Sequence, residues 1–158
     1  EVYRLCPELA VMSGGGMIIK DSAGKVFQDP RFVNVARLTG CKNISPVKRI
    51  GEGEVFALDW GLSLRVCGSV EGVTHIGIRA HDLVPVDENA RNGFNEARIA
   101  VSKHSSEPFE EVILFVNADA KDLSEKKEIW WKYSKYLKQY SIPKKLFFPP
   151  EALLLLKE

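Results

Sequence analysis

Short apolar runs, separated by glycine and polar residues, follow one another through most of this chain, which is typical of strands and tight turns. Near the start, Leu9–Met12 and Met17–Ile19 flank the glycines Gly14–Gly16, and this predicts a hairpin of two short strands. Over residues 31–38 the apolar spacing becomes helical, and Gly40 provides a typical C-terminal stop.

Seven further apolar runs predict strands: Glu54–Leu58, Leu62–Val66, Val73–Arg79, Asp82–Val86, Ala97–Ser102, Glu110–Val116 and Leu153–Leu156. Gly61 lies in the short turn between the first two, where a positive φ is needed. Several short strands with regular turn signals indicate a small barrel. The sequence therefore predicts a mainly β fold.

One later segment has helical spacing. It opens with the capping-box pattern Asp122–Glu125, and its apolar stripe consists of Ile129, Trp130, Tyr133, Leu137 and Tyr140. We expect an amphipathic helix here, with lysines on its other faces. The stripe is interpreted as a docking face; the alternative is that Trp130 and Trp131, with the lysines, stack single-stranded nucleic acid.

Composition narrows the class of protein. The 158 residues include 22 Lys and Arg against 21 Asp and Glu, so a net charge of +1 gives no general attraction to nucleic acid or to an anionic membrane. Cys6, Cys41 and Cys67 are odd in number and widely spaced, which favours a reducing compartment over a disulfide framework. Neither a signal peptide nor an apolar run of about 20 residues occurs. We expect the chain to begin within a longer, cytoplasmic protein.

Catalytic patterns are missing from the sequence. The glycines near residue 15 are not followed by the Lys-Ser or Lys-Thr of a phosphate-binding loop. His75 and His81 have no third metal ligand nearby, and Glu110 and Glu111 are neighbours that face opposite sides of a strand. We therefore expect no enzyme activity, no metal and no cofactor in this chain.

A resemblance to a known family lies in Ile76–Leu83, which reads Ile-Gly-Ile-Arg-Ala-His-Asp-Leu. It resembles the Ile-Gly-(Ile/Val)-Arg-Pro-Glu-Asp-(Ile/Leu) signature of the TOBE domain of ABC transporter ATP-binding subunits, with departures at Ala80 and His81. In that family the arginine and the acid are architectural, so we expect Arg79 and Asp82 to form a structural pair. Val35–Ser45 resembles the junction between the ATPase domain and the C-terminal regulatory domain in that family.

The resemblance implies three parts of the chain. Residues 1–30 are similar to the end of an ABC ATPase domain, residues 31–88 to a first TOBE-like β lobe, and residues 89–158 to a second β lobe with a C-terminal helix and final strand. The implied fold is a small OB-like β-barrel with two related lobes. ATP and magnesium are implied only for the absent ATPase domain.

A cation–asparagine pair precedes strands in each half of the chain, as Lys42-Asn43 and as Arg91-Asn92. It resembles the motif with which the molybdate-binding fold contacts an oxyanion, which cations and polar donors suit. The candidate oxyanion-binding residues are Lys42, Asn43, Ser45, Lys48, Arg91 and Asn92. The alternatives are solvated turns, a helix end carrying cations, and a second half that only completes the barrel.

These expectations combine into one function. The resemblance implies a regulatory and dimerisation domain of an ABC importer's ATP-binding subunit, which binds molybdate, tungstate or sulfate to inhibit transport. It implies a homodimer, contact with membrane permease subunits through the absent ATPase domain, and a place at the cytoplasmic face of the membrane. We expect no nucleic-acid partner. The alternative is a free-standing OB-type barrel that binds single-stranded nucleic acid.

Overall fold

The computed structural model describes residues 5–87, 89, 93–137 and 141–158. It is mainly β, with curled antiparallel sheets that form a half-barrel, which is consistent with a small OB-like β fold. The mainly β fold class predicted from the sequence is therefore confirmed. No helix in these ranges is long and apolar enough to cross a membrane.

An N-terminal segment precedes the half-barrel. It consists of β1 (Glu8–Ser13), β2 (Gly16–Ser22), α1 (Ala23–Gln28) and α2 (Val33–Leu38). Gly14 and Gly15 turn the predicted hairpin with φ of +59° and +79°, and Gly40 follows the predicted helix with φ of +90°. Both sequence predictions are confirmed. Apolar side chains from the hairpin and both helices form a small core of their own.

Two five-stranded sheets make up the half-barrel. The remaining strands, in chain order, are β3 (Asn43–Gly51), β4 (Glu54–Ala57), β5 (Leu62–Arg65), β6 (His75–Ile78), β7 (Val84–Pro85), β8 (Glu96–Ser106), β9 (Glu110–Asn117), β10 (Ile129–Ser134), β11 (Lys145–Phe147) and β12 (Leu154–Leu156). The first sheet has the order β12-β6-β3-β4-β5, and the second the order β10-β9-β8-β11-β7. The seven strands predicted for this region are all present.

The two sheets repeat one topology. Each strand from β3 to β7 corresponds to the strand five places later in the chain, from β8 to β12. When every strand of the first sheet is replaced by its counterpart, the order becomes that of the second sheet in the opposite direction. Each sheet is completed by a strand from the other half of the chain, because β12 joins the first sheet and β7 the second.

The registers repeat as well. β3 and β8 each carry a register shift at the same place, between Arg49 and Gly51 and between Val101 and Lys103. A single 3-10 turn precedes the exchanged strand in both halves, at Ala80–Asp82 and at Pro150–Ala152. The two halves are thus structural repeats.

One hydrophobic core is shared by both sheets. It contains Leu64 and Ile76 of the first sheet together with Phe115 and Trp131 of the second. The rings of Trp60 and Phe148 also meet across this core, with centroids 5.9 Å apart. Separating the halves would expose apolar surface on both, so the strand exchange and the core act together.

The predicted C-terminal helix is wrong. A 3-10 turn occupies Leu123–Glu125, and strand β10 follows. Asp122 has φ of +60°, which is not the extended conformation of a helix N-cap. Aromatic and β-branched residues favour a strand, and β9 supplies a paired residue for every position of β10. Because side chains alternate along a strand, Trp131 points into the core and its neighbour Trp130 points away from it. Tyr140, the last residue of the predicted stripe, lies outside the described residues.

The N-terminal segment and the C-terminal strand end are hydrogen-bonded together. Phe32 forms a parallel bridge with Lys157. The Val33 N–H donates to the Lys157 carbonyl at 3.0 Å, and the Lys157 N–H donates to the Arg31 carbonyl at 2.9 Å. Residues 31–33 are therefore held next to the end of β12 in the first sheet.

Candidate functional site

Arg79, from the Ile-Gly-Ile-Arg stretch, lies where the N-terminal segment meets the first sheet. Its Nη1 donates to the Thr39 carbonyl at 2.7 Å, and its Nη2 donates to the Phe27 carbonyl at 2.7 Å and to Thr39 Oγ1 at 3.1 Å. Phe27 and Thr39 are at the C-terminal ends of α1 and α2, where carbonyls lack helical partners and a cation is favoured. One guanidinium thus holds two helix ends to β6.

The expected pair of Arg79 with Asp82 is not formed. Both residues are described, and no ion pair joins their side chains; instead the Asp82 N–H donates to the Arg79 carbonyl at 3.0 Å. The reason is geometric, because the 3-10 turn that starts at Ala80 turns the chain after β6 while the guanidinium reaches back to the helices. The architectural role of Arg79 remains, with different partners.

Asn43, a predicted oxyanion ligand, is 2 % exposed and joins the two sheets. Its Nδ2 donates to the Trp130 carbonyl at 2.8 Å, and its Oδ1 accepts from the Trp130 N–H at 2.7 Å. The side-chain amide therefore pairs with the open edge of β10 as another strand would. Both of these hydrogen bonds go to the protein's own backbone.

Asn95 makes the equivalent contacts in the other half. Its Nδ2 donates to the Arg65 carbonyl at 2.8 Å and to the Phe148 carbonyl at 3.0 Å, and its Oδ1 accepts from the Arg65 N–H at 2.7 Å. Asn95 is buried and has φ of +52°, a conformation that asparagine tolerates better than most residues. Arg65 on β5 corresponds to Trp130 on β10 in the repeat.

The sequence repeat was therefore aligned on the wrong asparagine. Asn95, rather than Asn92, occupies the position that Asn43 has in the first half. Matching the strands that follow, β3 with β8, would have selected Asn95, because each asparagine lies at or just before the first residue of its strand.

Ser45 is also used inside the protein. Its Oγ donates to the Pro46 carbonyl at 2.9 Å and accepts from the Asp59 N–H at 3.0 Å, which fixes the turn after β4. The Lys127 ammonium lies 2.9 Å from Asp59 Oδ2 as an ion pair. The turn after β4 and the segment before β10 are thus held together.

The two predicted lysines lie on the surface, far from each other. The Lys42 ammonium is 5.9 Å from the centroid of the Trp130 ring. Lys48 is exposed on β3, opposite Phe56 of β4, on the face away from Asn43 and Ser45. Six residues of extended chain place the two lysines about 20 Å apart. Arg91 and Asn92 lie outside the described residues, and the other four candidates do not converge on one pocket.

A groove of about 440 Å³ lies between β5 and the start of β8. Its charges are balanced by three ion pairs: Arg65 with Glu54 at 3.0 Å, Arg98 with Asp119 at 2.7 Å and Lys145 with Glu96 at 3.9 Å. An oxyanion would have to compete with a carboxylate at every one of these cations. The groove therefore does not favour anions.

A second cavity, of about 600 Å³, lies beside the outer ends of β8, β9 and β10. Glu111 accepts from Ser106 Oγ at 2.8 Å and contacts His104 Nε2 at 2.8 Å, and Lys135 Nζ is 3.8 Å away. The Ser106 hydroxyl and then His104 lower the pKa of Glu111, while burial and the Glu111 charge raise the pKa of Tyr133.

The chemistry of this cavity is that of a stabilised carboxylate. Ser106 donates to Glu111 and not to His104, so the histidine is not placed to take a proton from the hydroxyl. Within the part of the chain that the structure describes, no group of three or more His, Cys, Asp and Glu side chains is placed to hold a metal ion.

Comparison with models of protein families and with curated proteins found no match.

Proposed function

We propose that this chain is a regulatory and dimerisation domain of the ATP-binding subunit of an ABC importer, and that it senses a tetrahedral oxyanion such as molybdate, tungstate or sulfate. The observation that carries the proposal is the contact of Arg79 with the ends of α1 and α2. The arginine of the TOBE-like stretch binds the segment that resembles the end of an ATPase domain. That contact is what a regulatory domain needs in order to act on its neighbour.

The regulatory mechanism requires that the two parts move as one body. Three hydrogen bonds from Arg79 and the bridge between Phe32 and Lys157 fix the N-terminal segment to the first sheet. An oxyanion that binds one arrangement of the paired subunits more tightly than another would shift the population toward it. The rigid attachment would pass that arrangement on to the ATPase domains.

The oxyanion part of the proposal rests on the surface cations. The side chains of Asn43 and Ser45 already bind the backbone, so they are available only indirectly, through the strand they position. Lys42 and Lys48 expose their ammonium groups. Arg91, which lies outside the described residues, is the third predicted cation. Because Lys42 and Lys48 lie about 20 Å apart, one oxyanion can contact only one of these two lysines.

Isothermal titration of the chain with molybdate, tungstate and sulfate, with phosphate as a comparison ion, tests oxyanion binding. We expect micromolar or tighter binding of one oxyanion, lost in Lys42→Ala or Arg91→Ala and kept in Lys121→Ala, an exposed lysine outside the candidate set. Heat from all ions alike, or none from any ion with a folded chain, would contradict sensing. Sedimentation equilibrium tests dimerisation separately, and a monomer at every concentration would contradict that part.

A further inference from the structure

Because Trp130 lies on a strand, its ring is close to Lys42, a residue far away in the sequence that the predicted helix did not include. Trp130 is half-buried on the outer face of β10, with its backbone N–H and carbonyl fixed by Asn43. The ammonium groups of Lys42 and Lys132 each lie 5.9 Å from the centroid of its ring. The indole is therefore rigidly placed, partly accessible and flanked by two cations.

A third lysine lies on the same face. Lys103 of β8 is directly opposite Leu114 of β9, and Leu114 is directly opposite Trp130, so the three side chains form one row across the sheet. We call Trp130, Lys42, Lys103 and Lys132 the Trp130 surface. None of its lysines forms an ion pair with a carboxylate within the described ranges. Glu128, the acid next to Trp130 on this face, is hydrogen-bonded to Ser102 at 2.6 Å.

The internal repeat supplies a comparison position. Lys42 and Trp130 correspond to Phe94 and Arg65, so the cation and the aromatic ring are exchanged, with Arg65 Cζ 5.1 Å from the Phe94 centroid. There the arginine is neutralised by Glu54 at 3.0 Å, and Phe94 packs edge-on against Phe147. Free positive charge beside an accessible ring is thus a property of the Trp130 surface and not of its counterpart.

We propose that the Trp130 surface binds single-stranded nucleic acid, with one base stacked on the indole and the lysines on neighbouring phosphates. Without ligand the ammonium groups lie near the ring, where an exposed cation–π contact is weak. A base stacked on the indole gains more than that contact, and it frees the lysines to bind phosphate. The net charge of +1 gives no long-range attraction, so affinity would come from this local group and would fall with salt.

Intrinsic fluorescence can report on this surface selectively. The chain has three tryptophans, and Trp60 and Trp131 are each 1 % exposed, so Trp130 is the one that a ligand in solution can reach. We would titrate the chain with a short oligothymidylate, with an oligouridylate and with inorganic polyphosphate. Stacking predicts quenching by both oligonucleotides and none by polyphosphate, which has charge but no base. The relative affinities of the two oligonucleotides show whether DNA or RNA is the preferred ligand.

Variants assign the binding to residues. We expect Trp130→Leu to weaken oligonucleotide binding, measured by anisotropy of a labelled strand, by about tenfold or more. Lys42→Gln and Lys132→Gln each should lower the salt slope by about one, and these exposed or half-exposed changes leave the core intact. Phe94→Leu at the counterpart position should leave affinity unchanged. Equal losses in Phe94→Leu and Trp130→Leu, polyphosphate binding as tight as oligonucleotide binding, or no quenching would each overturn the proposal.

This proposal is independent of the proposed transporter function. Lys42 is common to both, whereas Trp130 and Lys132 belong only to the nucleic-acid surface. Oxyanion titration of Trp130→Leu and oligonucleotide titration of Arg91→Ala therefore separate the two. Each proposal can fail while the other holds.

Discussion

Replacing Asn43 should weaken the junction between the two sheets. Asn43→Ala removes a donor and an acceptor from the Trp130 backbone, whose two groups then lack their partner. Each hydrogen bond contributes about 1 kcal/mol net, and an unpaired buried group costs about 1–3 kcal/mol, so we expect a loss of about 2–4 kcal/mol in the free energy of unfolding. For a chain of this size that lowers the melting temperature by roughly 5–15 °C.

Asn43→Asp separates the donor from the acceptor. At neutral pH the aspartate still accepts from the Trp130 N–H, but its second oxygen meets the Trp130 carbonyl and its charge is buried. Burial favours the protonated form, which can donate to that carbonyl. The folded pKa of this aspartate is thus raised, so the variant should be least stable at neutral pH and approach the wild type as the pH falls. Asn43→Ala has no such proton and should show no recovery.

The assay is urea unfolding followed by circular dichroism, over a range of pH, with wild type measured at every point. Asn34→Ala is the matched control, because Asn34 is exposed on α2 and such surface changes stay within about 0.5 kcal/mol. If Asn43→Ala costs no more than Asn34→Ala, or Asn43→Asp shows no recovery at low pH, then the asparagine does not join the sheets as reasoned here.

Three other perturbations test further contacts. Gly61 has φ of +62°, and a Cβ there would lie 2.7 Å from Ala120 Cβ, so Gly61→Ala should cost about 2–4 kcal/mol in chemical unfolding. Gly14 has φ of +59° and no atom within 4 Å of an added Cβ, so Gly14→Ala measures the cost of the backbone conformation alone. Equal losses of stability in the two variants would refute the clash with Ala120. The lysine in Arg79→Lys cannot reach both helix ends. Limited proteolysis should therefore cleave within residues 5–40 earlier than in wild type, while the sheets stay protected. Unchanged cleavage would argue against the Arg79 contact. The pKa of Glu111 is lower in the folded protein than its ordinary value of 4.5. The contribution of Glu111 to the free energy of unfolding is therefore present above pH 4.5 and is lost as the pH falls through the lower folded pKa. The melting temperature of wild type should therefore exceed that of Glu111→Gln near pH 7, with the difference vanishing in acid; a constant difference would contradict this sign.

Local signals were sufficient for most of the strands. The glycine turn near residue 15, the stop at Gly40, the alternation through β4 and β5 and the apolar run of β9 all depend on neighbouring residues. The prediction of a helix after Asp122 is wrong, because the spacing of Ile129, Trp130 and Tyr133 in the sequence also matches a helical period. Pairing with β9 decided the outcome, and pairing between distant segments leaves no local pattern.

The candidate oxyanion residues show the same division. Their chemical types, cations and polar donors, were correctly read from the sequence, but the direction in which each side chain points was not available there. Asn43 and Ser45 turned inward to satisfy backbone groups, while Lys42 and Lys48 remained outside. Asn95 had no motif that marked it, and only the register of β8 shows that it matches Asn43.

The sequence by itself determined a mainly β chain with a hairpin and a short helix in front, because strand alternation and glycine turns act over a few residues. Only the tertiary structure decided that the halves exchange strands, that Arg79 holds two helix ends and that Trp130 lies among lysines on an open face. These features join residues far apart in the chain. Their free energy comes from buried hydrogen bonds and a shared core, which exist only once both halves have folded together.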